Sequence, residues 1–270
     1  MARRRIYNVL RKEWVVMFTD PNSALLIALL PLLILGEAMV VIWLVARFGG
    51  ASIVATAVFA SSVAKLAAAT PEVLALPVLE QFQVLLLNQL NFFLLLIPLM
   101  IAVTFSTFSI VEEKTTRTLE PLLATPVRTW ELLLGKGLSG TVPALIMTWL
   151  CAGLSLVAVL ALGWGSLLPL FLSTSWFLSL FLLAPGITLL SFLLGVVGSA
   201  RARDARSAQN GVVVVVLPIL ALVGAQVSGL VWFTPVLIVL LGLAVIVADI
   251  IMLRVAVRLF RRESIVVKWQ

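Results

Sequence analysis

Residues 235–257 read PVLIVLLGLAVIVADIIMLRVAV, a run whose only charges are Asp249 and Arg254. At about 1.5 Å per residue a helix of this length reaches ~35 Å, enough to cross the ~30 Å hydrocarbon core of a bilayer. Backbone amides and carbonyls find no partners in lipid, so the run must satisfy them within itself, as an α-helix does. It lacks the alternation of an outer-membrane barrel strand.

Working outward, five more runs read the same way: about Ala24 to Ala46, Gln89 to Val111, Thr141 to Leu162, one within Leu167 to Ala200, and Gly211 to Gln226. The fourth is too long for one helix and too short for two, and Pro185-Gly186 either kinks it or ends a lead-in segment. Across the chain 62% of residues are hydrophobic and 11% charged, with mean hydropathy +1.19. A soluble domain of this size cannot hide so much apolar surface. The expected fold is all-α and polytopic. Six transmembrane helices occupy residues 23–258, an amphipathic helix occupies 1–22, and 259–270 form a basic tail.

The opening MARRR resembles a signal-peptide n-region, but the first apolar run begins near Ala24 and is too long for an h-region, so an uncleaved first span is expected. Over residues 5–19, Ile6, Leu10, Trp14 and Met17 share one helical face and Arg5, Asn8 and Lys12 another, the pattern of a helix in the headgroup layer. Asp20-Pro21-Asn22-Ser23 breaks it, with Asn22 or Ser23 placed to cap the next helix. Between the first two spans, Phe59, Val63 and Leu66 fall on one face and Ser61 and Lys65 on another. An outer-surface helix is expected there, because a seventh span would put the two basic termini on opposite sides.

With six spans the basic residues sort to one side. The N-terminal arm holds Arg3, Arg4, Arg5, Arg11 and Lys12, and the loop after span two holds Lys114, Arg117, Arg128 and Lys136. The loop after span four holds Arg201, Arg203 and Arg206, and the end of the chain holds Arg254, Arg258, Arg261, Arg262 and Lys268. Of the 19 Lys and Arg residues only Arg47 and Lys65 remain on the other side. Basic flanks mark the cytoplasmic side, so both termini are expected there. This also accounts for the net charge of +7 without nucleic acid as a partner. The chain has no histidine, and its one cysteine, Cys151, lies in an apolar run. An intrachain disulfide and His-based metal or general-base chemistry are thereby excluded. No catalytic constellation recurs at usable spacing, and no metal site is expected.

Glu112 to Trp130 is the one sizeable polar stretch between spans on the basic side. Leu119, Leu122 and Leu123 cluster at helical spacing. Thr118 is placed to cap a short helix, with Glu120 and Pro121 in its first turn, and Ala124-Thr125-Pro126 ends it. Thr129-Trp130-Glu131 starts a second helix that leads through Gly135-Lys136-Gly137 to span three. From the residues alone, this stretch is either a loop helix resting on headgroups or a surface for another protein.

The stretch resembles the first cytoplasmic loop of ABC-2-type transporter permeases, whose form is close to E-x-x-x-G-T-L-E-x-L-L-x-T-P-V-x-R followed by L-x-x-G-K. Glu113, Thr118-Leu119-Glu120, Leu122-Leu123, Thr125-Pro126-Val127 and Gly135-Lys136 match, while Arg117 and Pro121 depart. The likeness extends to the amphipathic arm, Lys12-Glu13 before span one, the six spans and the basic loop after span four. It implies that the arm is an elbow helix, and that the loop carries a coupling helix docking on a separate ATP-binding-cassette subunit. Glu112, Glu113, Lys114, Thr118, Leu119, Glu120, Leu122, Leu123, Thr125 and Pro126 would make that contact. It further implies a homodimer, or a heterodimer with a related permease, in a prokaryotic plasma or inner membrane. ATP and Mg would bind the partner subunit. The chain itself has no phosphate loop, since Trp130 stands where the first glycine before Gly135-Lys136-Gly137 would be. Export is expected by likeness alone. An ion-coupled carrier and a non-transporting anchor or assembly factor remain alternatives; inverted repeats would favour the carrier, and none is evident.

Glu37 lies inside span one, where a carboxylate costs on the order of 2.5–3.5 kcal/mol on insertion scales. It either lines the outer half of a pathway or is a protonated or snorkelling residue near the outer interface. Asp249 is expected to be interfacial, beside Arg254. Thr104 and Thr107 are candidate pathway residues, although with Ser106 and Ser109 they are more readily read as bonding to neighbouring helices. Glu80, Gln81, Gln83, Asn88, Gln89 and Asn91 make the outer end of span two polar, as an outer vestibule or a solvated helix end.

Overall fold

The computed structural model describes residues 2–19, 21–48, 57–115, 129–201, 217, 221–222, 224–226, 228 and 230–259. Side chains are described for all of these except 2, 22–24, 26, 57–59, 107–108, 110–115, 129 and 199–201. The described residues contain helices and no strand. In chain order these are α1 (Ala2–Thr19), α2 (Pro21–Phe48), α3 (Ala57–Ala69), α4 (Val78–Thr115), α5 (Thr129–Ala161), α6 (Leu168–Phe171), α7 (Thr174–Leu178), α8 (Ala184–Arg201) and α9 (Pro235–Leu259). Five stretches are long and apolar enough to cross a membrane: Ile27–Phe48, Val78–Ser106, Trp130–Ala161, Thr174–Gly198 and Pro235–Leu259. The expected span at Gly211 to Gln226 falls mostly outside the described residues, as does the short helix expected from Thr118.

α4 begins eleven residues before the expected start of span two, and α5 twelve before that of span three. Hydropathy marks where a helix enters lipid; the helix itself continues wherever its faces find packing partners. The 38 residues of α4 extend about 57 Å, well beyond the hydrocarbon core. α3 has 13 residues, about 20 Å, and is too short to cross. It leans on the turn before α9, where Lys65 Nζ donates to the Leu230 carbonyl (3.2 Å) and Ser61 Oγ to that of Ser228 (3.5 Å).

Before the fourth crossing, a lead-in of Gly165–Leu167 and α6 ends at Ser173, whose hydroxyl accepts from the Trp176 amide and caps α7. α7 continues into α8 through a π-helical turn, Ser179–Leu183, just ahead of Pro185. The wider turn accommodates a proline that lacks an amide and crowds the carbonyl four residues back.

α4 is the hub: 78% of its span is buried, against 17% for α9, and it packs on α2, α5 and α8. Its Gln83, Gln89 and Asn91 are buried, while Glu80, Gln81 and Asn88 keep part of their surface exposed. Asp249 is buried too, turned toward α8 near Gly186 rather than out toward Arg254. Exposed Leu, Val, Ile and Trp side chains on α2, α5 and α9 form the surface for lipid. α4 and α8 approach closely at Gly195, where a Cβ would fall on Ser106 Oγ and lie 3.1 Å from the Val103 carbonyl oxygen. Small residues let membrane helices approach in this way. Gly195→Ala is expected to destabilise the protein by about 1–3 kcal/mol. Ser106→Ala should recover only part of that loss, because the Val103 carbonyl cannot move aside. Thermal unfolding in detergent would read both; an unchanged midpoint for Gly195→Ala would refute the close approach.

Candidate functional site

A buried polar cluster joins α1, α4 and α5 at the end of the bundle that carries the basic residues. Glu13 sits on the apolar face of α1 between Leu10 and Met17 and is 7% exposed. Lys136, about two turns into α5, is 3% exposed. Lys136 Nζ lies 3.3 Å from Glu13 Oε1 and donates to Ser109 Oγ on α4 at 2.6 Å, and Ser109 Oγ donates to Glu13 Oε2 at 3.0 Å. Lys12 Nζ adds a partly exposed contact to Glu13 Oε1 at 3.4 Å. Two further links tie α1 to α5: Arg5 Nη1 to Glu131 Oε2 (3.5 Å), and Trp14 Nε1 to the Ser139 carbonyl (3.0 Å).

Burial raises the proton affinity of the Glu13 carboxylate, but the ammoniums of Lys136 and Lys12 and the hydrogen bonds from Ser109 and Lys136 outweigh it. The carboxyl is held below its ordinary value of 4.5. A depressed native value means that the unfolded chain takes up the proton first as pH falls. The cluster therefore contributes its full stability above about pH 4.5 and loses it as pH drops through the native value. Thermal midpoints measured from pH 6 downward should fall more steeply for the wild type than for Glu13→Gln. Parallel curves would remove Glu13 as a stabilising anion.

The glycines beside Lys136 explain why α1 can reach it. A Cβ on Gly135 would stand 2.8 Å from Val9 Cβ, and one on Gly137 would meet the Phe192 ring at 3.4 Å. Residues two apart on a helix face nearly opposite ways, so Gly135 admits α1, Gly137 admits α8, and Lys136 reaches Glu13 and Ser109. The sequence reading placed Gly135-Lys136 in a motif without a role. Its missed signal was Glu13, a single acid on an otherwise apolar helical face.

Of the residues expected to contact a partner subunit, Glu112, Glu113 and Lys114 lie in the last turns of α4, without described side chains. Thr118, Leu119, Glu120, Leu122, Leu123, Thr125 and Pro126 lie outside the described residues. The flanks of that segment are defined: α4 ends at Thr115 and α5 starts at Thr129, where the second helix start was expected. Ser109 bonds to neighbouring helices as expected. Thr107 has no described side chain, and Thr104 is half-buried.

Glu37 is exposed on α2 and lines a cavity of about 330 Å³ between α2 and α4, together with Gln89, Leu90, Phe93 and Met100. Thr104, one turn past Met100, does not line it. Among the described residues Glu37 has no ion pair or hydrogen bond. Gln89 is 3% exposed, and both of its amide atoms are buried without a partner. No cluster of His, Cys, Asp or Glu able to hold a metal ion occurs among the described residues.

Residues 7–232 match the sequence model of a family described as ABC-2 family transporter protein. A search of curated proteins finds no match. The matched span runs from α1 to the turn before α9 and includes every residue of the polar cluster except Arg5.

Proposed function

Because the chain belongs to the ABC-2 transporter family, we propose that it is the membrane-spanning permease subunit of an ATP-driven exporter. It works as a dimer with a second copy or a related permease, and with separate ATP-binding-cassette subunits that bind ATP and Mg. The family match carries this reading. The clamp at Glu13, Ser109 and Lys136 supports it by suggesting how force reaches the spans. The segment Glu112 to Trp130, with its helix at about Thr118 to Leu123, is the coupling element. ATP-driven closure of the partner displaces it and, with it, the ends of α4 and α5. The cluster makes α1 move with both, so the push becomes a tilt of three helices instead of a local bend. Co-purification with the ATP-binding-cassette subunit and reconstitution into liposomes test the reading. A partner whose hydrolysis depends on this chain supports it, and a chain that carries cargo down an ion gradient without ATP refutes it.

Both termini and the Glu112 to Trp130 segment face the cytoplasm of a prokaryotic plasma or inner membrane, with α3 outside. In a Cys151→Ala background, Ser61→Cys and Thr115→Cys should react with a membrane-impermeant maleimide from opposite sides. Labelling from one side only would overturn this threading.

A further inference from the structure

We infer that the cavity between α2 and α4 binds an amphipathic amine, with Glu37 receiving the ammonium group and Gln89 the adjoining polar atoms. Glu37 stands ten residues from Ile27 and eleven from Phe48, about 15 Å from either end of its span, which places it near the mid-plane of the bilayer. A carboxyl group at that depth is costly to ionise without a counter-charge, and the described residues supply none. Gln89 lines the same cavity from α4, and its amide donor and acceptor are both buried and unused. Buried amides are rarely left so, and two such groups beside one cavity call for a ligand that both donates and accepts. The remaining wall is apolar, with Leu90, Phe93, Leu96 and Met100. Its volume lies at the small end of the range for ligand sites. An anion would meet Glu37 with like charge, and a fully apolar molecule would leave both polar groups unsatisfied. The occupant that fits is a cation with an N–H donor and an adjoining acceptor, such as a hydroxyl oxygen, on an apolar body, reaching the site from within the bilayer; decylamine probes its ammonium end alone. Its role as cargo rests on the permease reading; its binding does not.

The test uses the full chain in lipid nanodiscs with decylamine, decanol and decanoate, which share a tail and differ in charge. A decylamine carrying a diazirine on its tail should cross-link within 34–42 and 86–100. Decylamine should compete that labelling, decanol about 10- to 100-fold less well, the range of one charge-assisted hydrogen bond, and decanoate not at all. Glu37→Gln should weaken decylamine by the same factor. Gln89→Leu, checked for an unchanged gel-filtration profile, should weaken both decylamine and decanol, since the N–H of one and the O–H of the other donate to the Gln89 amide oxygen. Labelling spread evenly over the lipid faces of α5 and α9, or indifferent to Glu37→Gln, would overturn the site. So would efficient cross-linking of Glu37→Cys between two chains in native membranes, which would assign the cavity to a contact between copies. Co-purification of the ATP-binding subunit is scored separately. Loss of amine binding with that partner retained rejects the site alone, whereas amine binding without any ATPase rejects the permease reading alone.

Discussion

Replacing Lys136 by methionine is expected to cost about 3 kcal/mol of stability, the low end of what removing one partner of a buried ion pair costs. Methionine fills the space of the lysine stem, so the loss is electrostatic. Glu13 keeps its burial and the Ser109 hydroxyl but loses the one ammonium that is itself buried. Lys12 holds the cost to the low end, because its ammonium stays 3.4 Å from the carboxylate, although half exposed and well screened by water. The double variant Glu13→Gln with Lys136→Met should recover most of the loss, since neither side then buries an unpaired charge. Thermal unfolding of the purified chain measures both. Lys136→Met with the wild-type midpoint would mean that the pair holds nothing together. Recovery of stability without recovery of ATP-driven transport would separate the clamp's mechanical role from its structural one.

The double change Leu119→Ala with Leu122→Ala is expected to release the ATP-binding subunit while leaving the spans folded. Under the proposed function, apolar side chains at helical spacing in a polar cytoplasmic segment need a cover, and a groove on the partner would supply it, with Glu112, Glu113 and Glu120 as its polar rim contacts. Burying two leucines contributes about 3–6 kcal/mol before ordering costs, or about 1.5–3 each. Loss on that scale should abolish co-purification at micromolar concentrations and uncouple hydrolysis from transport. Arg261→Ala in the tail, which touches no apolar contact in this scheme, is the control and should behave as wild type. Full partner binding by the double variant would remove the segment as the coupling element.

Several features were readable residue by residue. The runs at 24–46, 89–111 and 235–257 each fall within a described helix, and the run at 141–162 ends one residue past α5. The second helix start was read correctly at Thr129. Helix lengths were underestimated where packing, not lipid, holds the extra turns, as at both ends of α4. The polar side chains on α4 were the hardest to read. Gln83, Gln89 and Asn91 look solvated in one dimension, and only their position at the hub of the bundle buries them. Asp249 was misread for the same reason: Arg254 is near in sequence, but the buried side of α9 faces α8.

The sequence by itself determined that this chain is a helical membrane protein, which of its segments are long enough to cross, and which family it resembles. Lipid tests each segment separately: it offers no hydrogen bonds, so every crossing run must be apolar and helical whatever its neighbours are. The tertiary structure alone decided which faces meet. Glu13, Ser109 and Lys136 converge because Gly135 lets α1 approach α5, Ser106 meets α8 because residue 195 has no side chain, and Glu37 shares a cavity with Gln89 because α2 lies against α4. These contacts join residues far apart in the chain. In a bilayer, where tails are as apolar as the helices, pairing is selected by close packing and buried polar bonds, neither of which hydropathy records.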